Sequence, residues 1–340
     1  MSEAVRFWRR GVWISLLVLV GALLSLAPYL SSSTEMVRMR NALVLVAGNE
    51  GDLAWTPAKV PTGFLLESAA PYPEFVAAVS RLGLAAMPSD WERAVAISRH
   101  LLGSSPTLSG GAIQSDLLDS YRRIVGAGEG YCGDFVRVFS GLAMAAGIPV
   151  RSWAFSFDGF GGHGHVWVEI WNRNIGSWQL LDVFNNNYFV GVDGVPLSAL
   201  EVHASMRANA TTVRLMPLHP TARSGAGTPE RAWDYYRRGL DEWYAVWGNN
   251  VFSYDQAQLV RTFGSVSRAL EQLGGIVQGV YPGVRILEEP NNRRQVEAIQ
   301  SVRSHLLWVG ATGAAALLVL LVCLVAWWTA GRRLAARGAR

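Results

Sequence analysis

The sequence predicts an α+β domain, with helices packed on an antiparallel sheet, carried between two transmembrane helices. Three observations predict it. Two runs free of Asp, Glu, Lys and Arg, 11–34 and 304–331, are each long enough to cross a bilayer as a helix. Between them, a helix-length apolar segment opening at Cys132 is followed by two strand-like runs, one headed by His165 and the other ending near Asp182. The 340 residues, 50% of them hydrophobic, suffice for one sizeable domain besides the spans.

The first span has WISLLVLVGALLSLAPYL as its core and the second LLWVGATGAAALLVLLVCLVAWW. Arg6, Arg9 and Arg10 precede the first, and Arg332, Arg333, Arg337 and Arg340 follow the second. The positive-inside rule then places both termini in the cytoplasm and the intervening residues outside it. Trp308, Trp327 and Trp328 suit interfacial anchoring of the second helix. Ser25 and Ala27 form a small-x-small pair of the kind that ends a signal peptide, but Pro28 directly after it opposes cleavage, so the first span is expected to stay as an anchor.

Outside the first span, NALVLVAG reads either as a strand or as the end of a juxtamembrane helix, and Pro57, Pro61, Pro71 and Pro73 mark loop-like chain. SDWERAVAISRHLL reads as an amphipathic helix capped at Ser89 and Asp90, with His100 on its surface or in packing. After the loop GSSPTLSGG, SDLLDSYRRIVGAG reads as a second helix. FNNNYFVGVDGVPLSALEVHASM continues the sheet, turns at VDG and ends in a short helix, and SGAGTP at 224–229 is a linker signal. ERAWDYYRRGLDEWYAVWGNN places Trp233, Tyr236, Leu240, Trp243 and Trp247 at three- and four-residue spacing. That is the pattern of an amphipathic helix, or alternatively of an aromatic surface that stacks sugar rings. SYDQAQLVRTFGSVSRALEQLGGIVQGV reads as a further helix, and RRQVEAIQSVRSHLLW continues into the second span.

The chemistry is concentrated in 128–187. Cys132 starts a segment with Phe135, Val138, Phe139, Leu142 and Met144 at largely helical spacing, stopped by Gly147 and Pro149. A cysteine in the first helical turn meets the positive end of the macrodipole, which favours the thiolate and suits a nucleophile. VRSWAFSF reads as a strand, DGFGGHG as a turn, and HVWVEIW and SWQLLDV as two strands joined by NRNIGS. An antiparallel pair can set Asp182 beside His165 while the helix presents Cys132 to the imidazole, giving a nucleophile, a base and an orienter of that base. His163, two residues before His165, is an alternative base. Asp134 is assigned no role.

GYCGDF, AMAAGIPVRSW, HVWVEIW and SWQLLDV together resemble the core of the transglutaminase-like superfamily, which shares a papain-like Cys-His-Asp arrangement. The resemblance implies Cys132 as nucleophile, His165 as base because the motif sets the base directly before V-W-V-E, and Asp182 as its partner. Tyr131, His163 and Trp167 become candidate substrate-binding residues, and the Cys132 amide, with Gln114 second, an oxyanion donor. The division that follows is a cytoplasmic 1–10, a transmembrane 11–31, a juxtamembrane 32–75, a transglutaminase-like 76–223, a helical extension 224–303, a transmembrane 304–330 and a basic cytoplasmic tail 331–340. The implied protein is an inner-membrane cysteine peptidase or amidase, or a transglutaminase-type acyltransferase, of bacterial type, with its domain in the periplasm. The expected substrate is a protein or peptide. The alternative is a catalytically silent tethered scaffold or binding module associated with surface polysaccharide biosynthesis or export, for which cell-envelope polysaccharide machinery would be the partner.

Composition narrows these classes. The formal charge of +4 belongs to the termini: without Glu3 and the seven flanking arginines, 23 basic and 25 acidic residues remain, which recommends no nucleic acid. Cys323 falls in the second span, leaving Cys132 as the one thiol of the exported part, unable to form a disulfide there. A thiolate metal cluster is thereby excluded, the six histidines are scattered, and neither metal nor other cofactor is expected. His203 and His219 are expected to be structural.

Overall fold

The computed structural model describes residues 3–46, 53–103, 111–223, 225 and 227–338. Most of the loop at 103–111, parts of the 224–229 linker, Ala47 and Gly48, and Arg340 with the Arg337 side chain lie outside the described residues. The chain divides into two compact units, one made of Met1–Leu43 with Glu297–Arg340 and the other of Val44–Val296.

The first unit pairs α1 (Glu3–Leu24) with most of a 46-residue helix, α12 (Arg293–Gly338), which runs without a break through the second apolar segment. Both helices are long and apolar enough to cross a membrane. Leu17, Leu23, Leu318 and Val325 are exposed, which water would penalise and lipid would not. The helices approach closely at Gly11, where an added Cβ would lie 2.5 Å from Cys323 Sγ. Ser25 Oγ lies 3.2 Å from His305 Nε2 where α1 ends, just before Pro28. α2 (Ser33–Leu43) follows.

In the second unit, four helices precede the sheet: α3 (Pro73–Arg81), α4 (Asp90–Leu102), α5 (Leu117–Ala127) and α6 (Cys132–Ala145). Ser89 caps α4 by accepting from Glu92 N at 3.2 Å, and Asp116 caps α5 by accepting from Asp119 N at 2.7 Å. The sheet begins with β1 (Val150–Ser156), β2 (Gly164–Asn172), β3 (Ser177–Asp182) and β4 (Asn187–Val190). Then come α7 (Ala199–Arg207), β5 (Arg214–Pro217), α8 (Pro229–Arg238), β6 (Trp243–Trp247), α9 (Val251–Gln256), α10 (Gln258–Gly264), α11 (Arg268–Val277) and β7 (Gly283–Ile286). The spatial order is β5-β4-β3-β2-β1-β6-β7, with every neighbouring pair antiparallel.

Strand alternation divides the core. Val150, Val168, Ile170 and Leu181 join Phe75, Ile97, Ile124 and Phe139 under α3–α6. On the other face, Trp153, Phe155, Trp167 and Leu180 join Val202 of α7 and Ala232 and Tyr236 of α8. An ion pair is buried on this face: Glu169 Oε2 accepts from Arg151 Nε at 2.6 Å and Trp153 Nε1 at 2.5 Å, and Oε1 from Ala199 N, the first amide of α7, at 2.5 Å. Arg151 also donates to the Leu53 carbonyl at 2.8 Å and lies 4.2 Å over the Trp178 ring.

The structure departs from the helical reading of 224–303. α8 stops at Arg238, and WYAVW forms β6, paired through Phe155↔Trp243 and Trp153↔Ala245 with β1. Its spacing fits a helix, but its aromatic and β-branched residues fit a sheet, and pairing to β1 decides between them. Trp243 and Trp247 are fully buried in the core, which removes the sugar-stacking surface. The following stretch is three helices rather than one: Ala257 is extended, and Ser267 starts α11 by accepting from Leu270 N at 3.3 Å. NALVLVAG is both of its alternatives, helical to Leu43 and then bridged in parallel at Leu45 to Val284.

Replacing Glu169 by alanine strands the buried Arg151 charge and three donors. The loss of stability in chemical denaturation should be about 3–5 kcal/mol, larger than for Arg122→Ala at the exposed Arg122–Glu74 pair.

Candidate active site

The site is built on the entry to α6. Gly128 ends α5 in the left-handed conformation, φ 66°, and its N–H bonds back to Ile124 O. Gly130, at φ 106°, leads into Tyr131, the N-cap of α6; a Cβ on Gly130 would press to 3.2 Å on both Asp134 and Ile113. The buried Asp134 carboxylate accepts from Tyr131 N at 2.9 Å and Ile113 N at 3.0 Å, so one side chain fixes the helix start and ties the 113 segment to it. Asp134, to which the motif gave no role, thus holds the turn that presents Cys132. Cys132 is half-buried at the first helical position, where an amide has no acceptor in its own helix. Gln114 is exposed, next to Ile113.

His165 lies one residue into β2, opposite Phe155. A Cβ on the preceding Gly164 would collide with the Phe155 carbonyl, so glycine is required there. The imidazole is enclosed by Phe155, Tyr235, Trp167 and Phe184 at centroid distances of 5.7, 5.6, 5.9 and 6.2 Å. Its Nε2 lies 2.6 Å from Asp182 Oδ2 at the end of β3. Cys132 is near enough for its charge to act on the ring as well. Burial alone would push the imidazolium down, but the Asp182 and Cys132 charges and their hydrogen bonds outweigh it, and the ring is pushed up to about 10.

Asp182 collects further donors. Oδ2 accepts from Tyr236 OH at 2.7 Å and Asn185 Nδ2 at 2.8 Å, and Oδ1 from Asn185 N at 3.1 Å. Asn186, at φ 61°, turns the chain back into β4 and holds His219 through N–H to Oδ1 at 2.7 Å. The Asn185–Asn187 cluster is therefore both turn and support. Tyr236 is the contributor that sequence reasoning missed, whereas 185–187 read either as cleft lining or as a turn. The available signal was that a buried tyrosine hydroxyl needs an acceptor, without saying which.

The three candidate substrate-binding residues separate. Tyr131 stays at the surface beside Cys132, its ring edge-on to Phe184 at 6.4 Å. His163 precedes β2 in the exposed loop, its Nδ1 3.6 Å from Asp158 Oδ2, and His165 is the histidine that faces Asp182. Trp167 cannot touch a substrate: it is fully buried, 5.0 Å from Tyr236 and 4.9 Å from Trp243. It shares the face of His165, but α7 and α8 cover that face. His203 is buried against the Leu240 carbonyl at 3.0 Å, and His100 lies 3.0 Å from Tyr121 OH. Among the described residues no group of three His, Cys, Asp or Glu side chains is placed to hold a metal ion.

Residues 83–183 match the transglutaminase-like superfamily model, a span running from just before α4 to the residue after Asp182. Comparison with curated proteins gives no match. Among solved structures, the periplasmic domain of TgpA from Pseudomonas aeruginosa is similar at 18% identity over 37% of this chain and 44% of that one, with a TM-score of 0.28. The chain thus spans less than half of that domain.

Tyr236→Phe removes one donor from Asp182 and keeps the ring; a loss of about 1.5–3 kcal/mol is expected in denaturant titration. The His165 proton is held to about 10 in the fold against an ordinary 6.5. Its stabilisation is therefore complete below about pH 6.5 and lost as pH rises toward 10. The denaturation midpoint of the detergent-solubilised chain should fall across that window, and His165→Gln should flatten the fall.

Proposed function

We propose that this chain, which carries a transglutaminase-like domain, is a membrane-anchored cysteine enzyme that opens an amide or peptide carbonyl through Cys132, His165 and Asp182. The observation that carries the reading is that the Asp182 carboxylate lies 2.6 Å from Nε2 of a buried imidazole while Cys132, at the start of α6, is near enough for its charge to act on the same ring. That is the arrangement a nucleophile and an orienting acid require.

The Cys132 thiolate attacks the carbonyl carbon, forming a C–S bond and an oxyanion that the Cys132 amide receives, with Gln114 as a second donor. His165, still protonated at neutral pH, gives its proton to the departing nitrogen as the C–N bond breaks, leaving a thioester and a free amine. Water, or an amine in a transfer reaction, then attacks the thioester. His165 takes the proton, the C–S bond breaks, and the thiolate returns beside the imidazolium. Asp182 holds Nε2 throughout, so the proton is exchanged at Nδ1. Water as the acceptor makes the enzyme a peptidase or amidase, the reading we favour because water is always present.

The two apolar helices anchor the enzyme in the cytoplasmic membrane. Arginines before the first apolar run and after the second put both termini inside and the domain on the periplasmic side.

Iodoacetamide should alkylate Cys132 in the full-length protein at pH 7 about tenfold or more faster than free cysteine, with the site located by peptide mass. His165→Ala should bring the rate down toward that of an ordinary thiol. Alkylation that begins only once the protein is unfolded would refute the proposal.

A further inference from the structure

Two guanidinium groups stack on the aromatic rings that lead to the imidazole, Arg223 through Phe184 and Arg238 through Phe157 and Tyr235. Arg223, in the connection from β5 to α8, lies over Phe135 and Phe184 at 5.5 and 5.6 Å. Phe184 in turn touches Tyr131 and His165. Arg223 Nη1 donates to the Phe184 carbonyl at 3.4 Å, while its buried Nε has no acceptor among the described residues. Burial pulls the guanidinium below its ordinary value. Arg238, the exposed last residue of α8, lies 4.6 Å over Phe157, and its charge reaches Tyr235. Tyr235 contacts the His165 ring and feels the Cys132 charge.

Elsewhere in this unit several poorly exposed arginines are matched: Arg137 with Asp255, Arg151 with Glu169, Arg207 with Glu289 and Arg268 with Glu271. Among the described residues neither Arg223 nor Arg238 forms an ion pair. Asp182 is committed to His165, Tyr236 and Asn185, and Asp158 to the Gly161 and His163 amides, while Asp234, one turn before Arg238 on α8, forms no ion pair with it. For Arg223, half-buried, the missing partner costs stability that a ligand bringing the opposite charge recovers, while the exposed Arg238 adds its charge to the same approach. Aromatic stacking fixes the plane of a guanidinium, and a fixed planar fork matches a carboxylate through two parallel bonds.

We propose that Arg223 and Arg238 determine the specificity of the Cys132 site by drawing in a peptide or amide that carries a carboxylate near the reacting carbonyl. The inference rests on the nucleophile assignment above and adds the charge of the substrate.

The test uses two reagents of the same size and chemistry, anionic iodoacetate and neutral iodoacetamide, on the full-length protein in detergent, with modification of Cys132 followed by peptide mass. The ratio of the two rates cancels thiol reactivity common to both. It should exceed the ratio for free cysteine, and Arg223→Gln and Arg238→Gln should each lower it by roughly three- to fivefold, as expected for removing one nearby, partly screened charge. Arg238→Lys, which keeps the charge, should retain most of the preference. A ratio equal to that of free cysteine, or unchanged in both glutamine variants, overturns the inference and leaves the nucleophile assignment standing. Failure of both reagents to modify native Cys132 overturns both.

Discussion

The hydrogen bond from the His165 ring to Asp182 is the contact on which the site depends. Asp182 is fully buried, and a buried carboxylate is tolerated only when its lone pairs are met. They are met from three places: the start of β2, the turn after β3 and the middle of α8. Those elements are thereby fixed relative to one another, and the ring between them cannot turn without leaving a charge unsatisfied. The sheet supplies the precision. His165 and Asp182 sit near strand ends, where backbone pairing sets position, while Cys132 sits on a helix whose first turn is pinned by Asp134.

Much of this was legible in the residues. Cys132 opens an apolar helical period, His165 heads a strict alternation, and Asp182 closes one, so local pattern placed each at an element boundary. The same alternation put Trp167 on the face of His165. What it could not tell was that this face is roofed by α7 and α8. Tyr236 was seen only as one of several aromatics at helical spacing, because its partner lies 54 residues away and nothing local marks that contact. The stretch read as a helical extension supplies β6 and β7, because strand pairing to β1 outweighs an aromatic spacing that either structure accommodates.

The superfamily match ends at residue 183, yet the donor that completes Asp182 from the far side comes from α8, beyond it. The roof over Trp167 and the strands β6 and β7, which extend the sheet past β1, also come from beyond it. Sheet, roof and carboxylate support form one cooperative structure, and the matched segment does not include all of its own hydrogen-bond partners.

The parallel bridge at Leu45 bears on how the protein can be handled. β7 is the outermost strand on its side, and its free edge is covered by the residues directly after α2: Val46 N donates to Val284 O at 2.8 Å, and Val284 N to Val44 O at 3.0 Å. The opposite border is short and ends in Pro217, which offers no amide to a stranger. A soluble fragment designed to begin at the first recognisable helix, α3, would discard that cover and leave an open ladder ready to zip onto another copy. The membrane-proximal segment is thus also a guard against self-association, and a crystallisable version has to keep it.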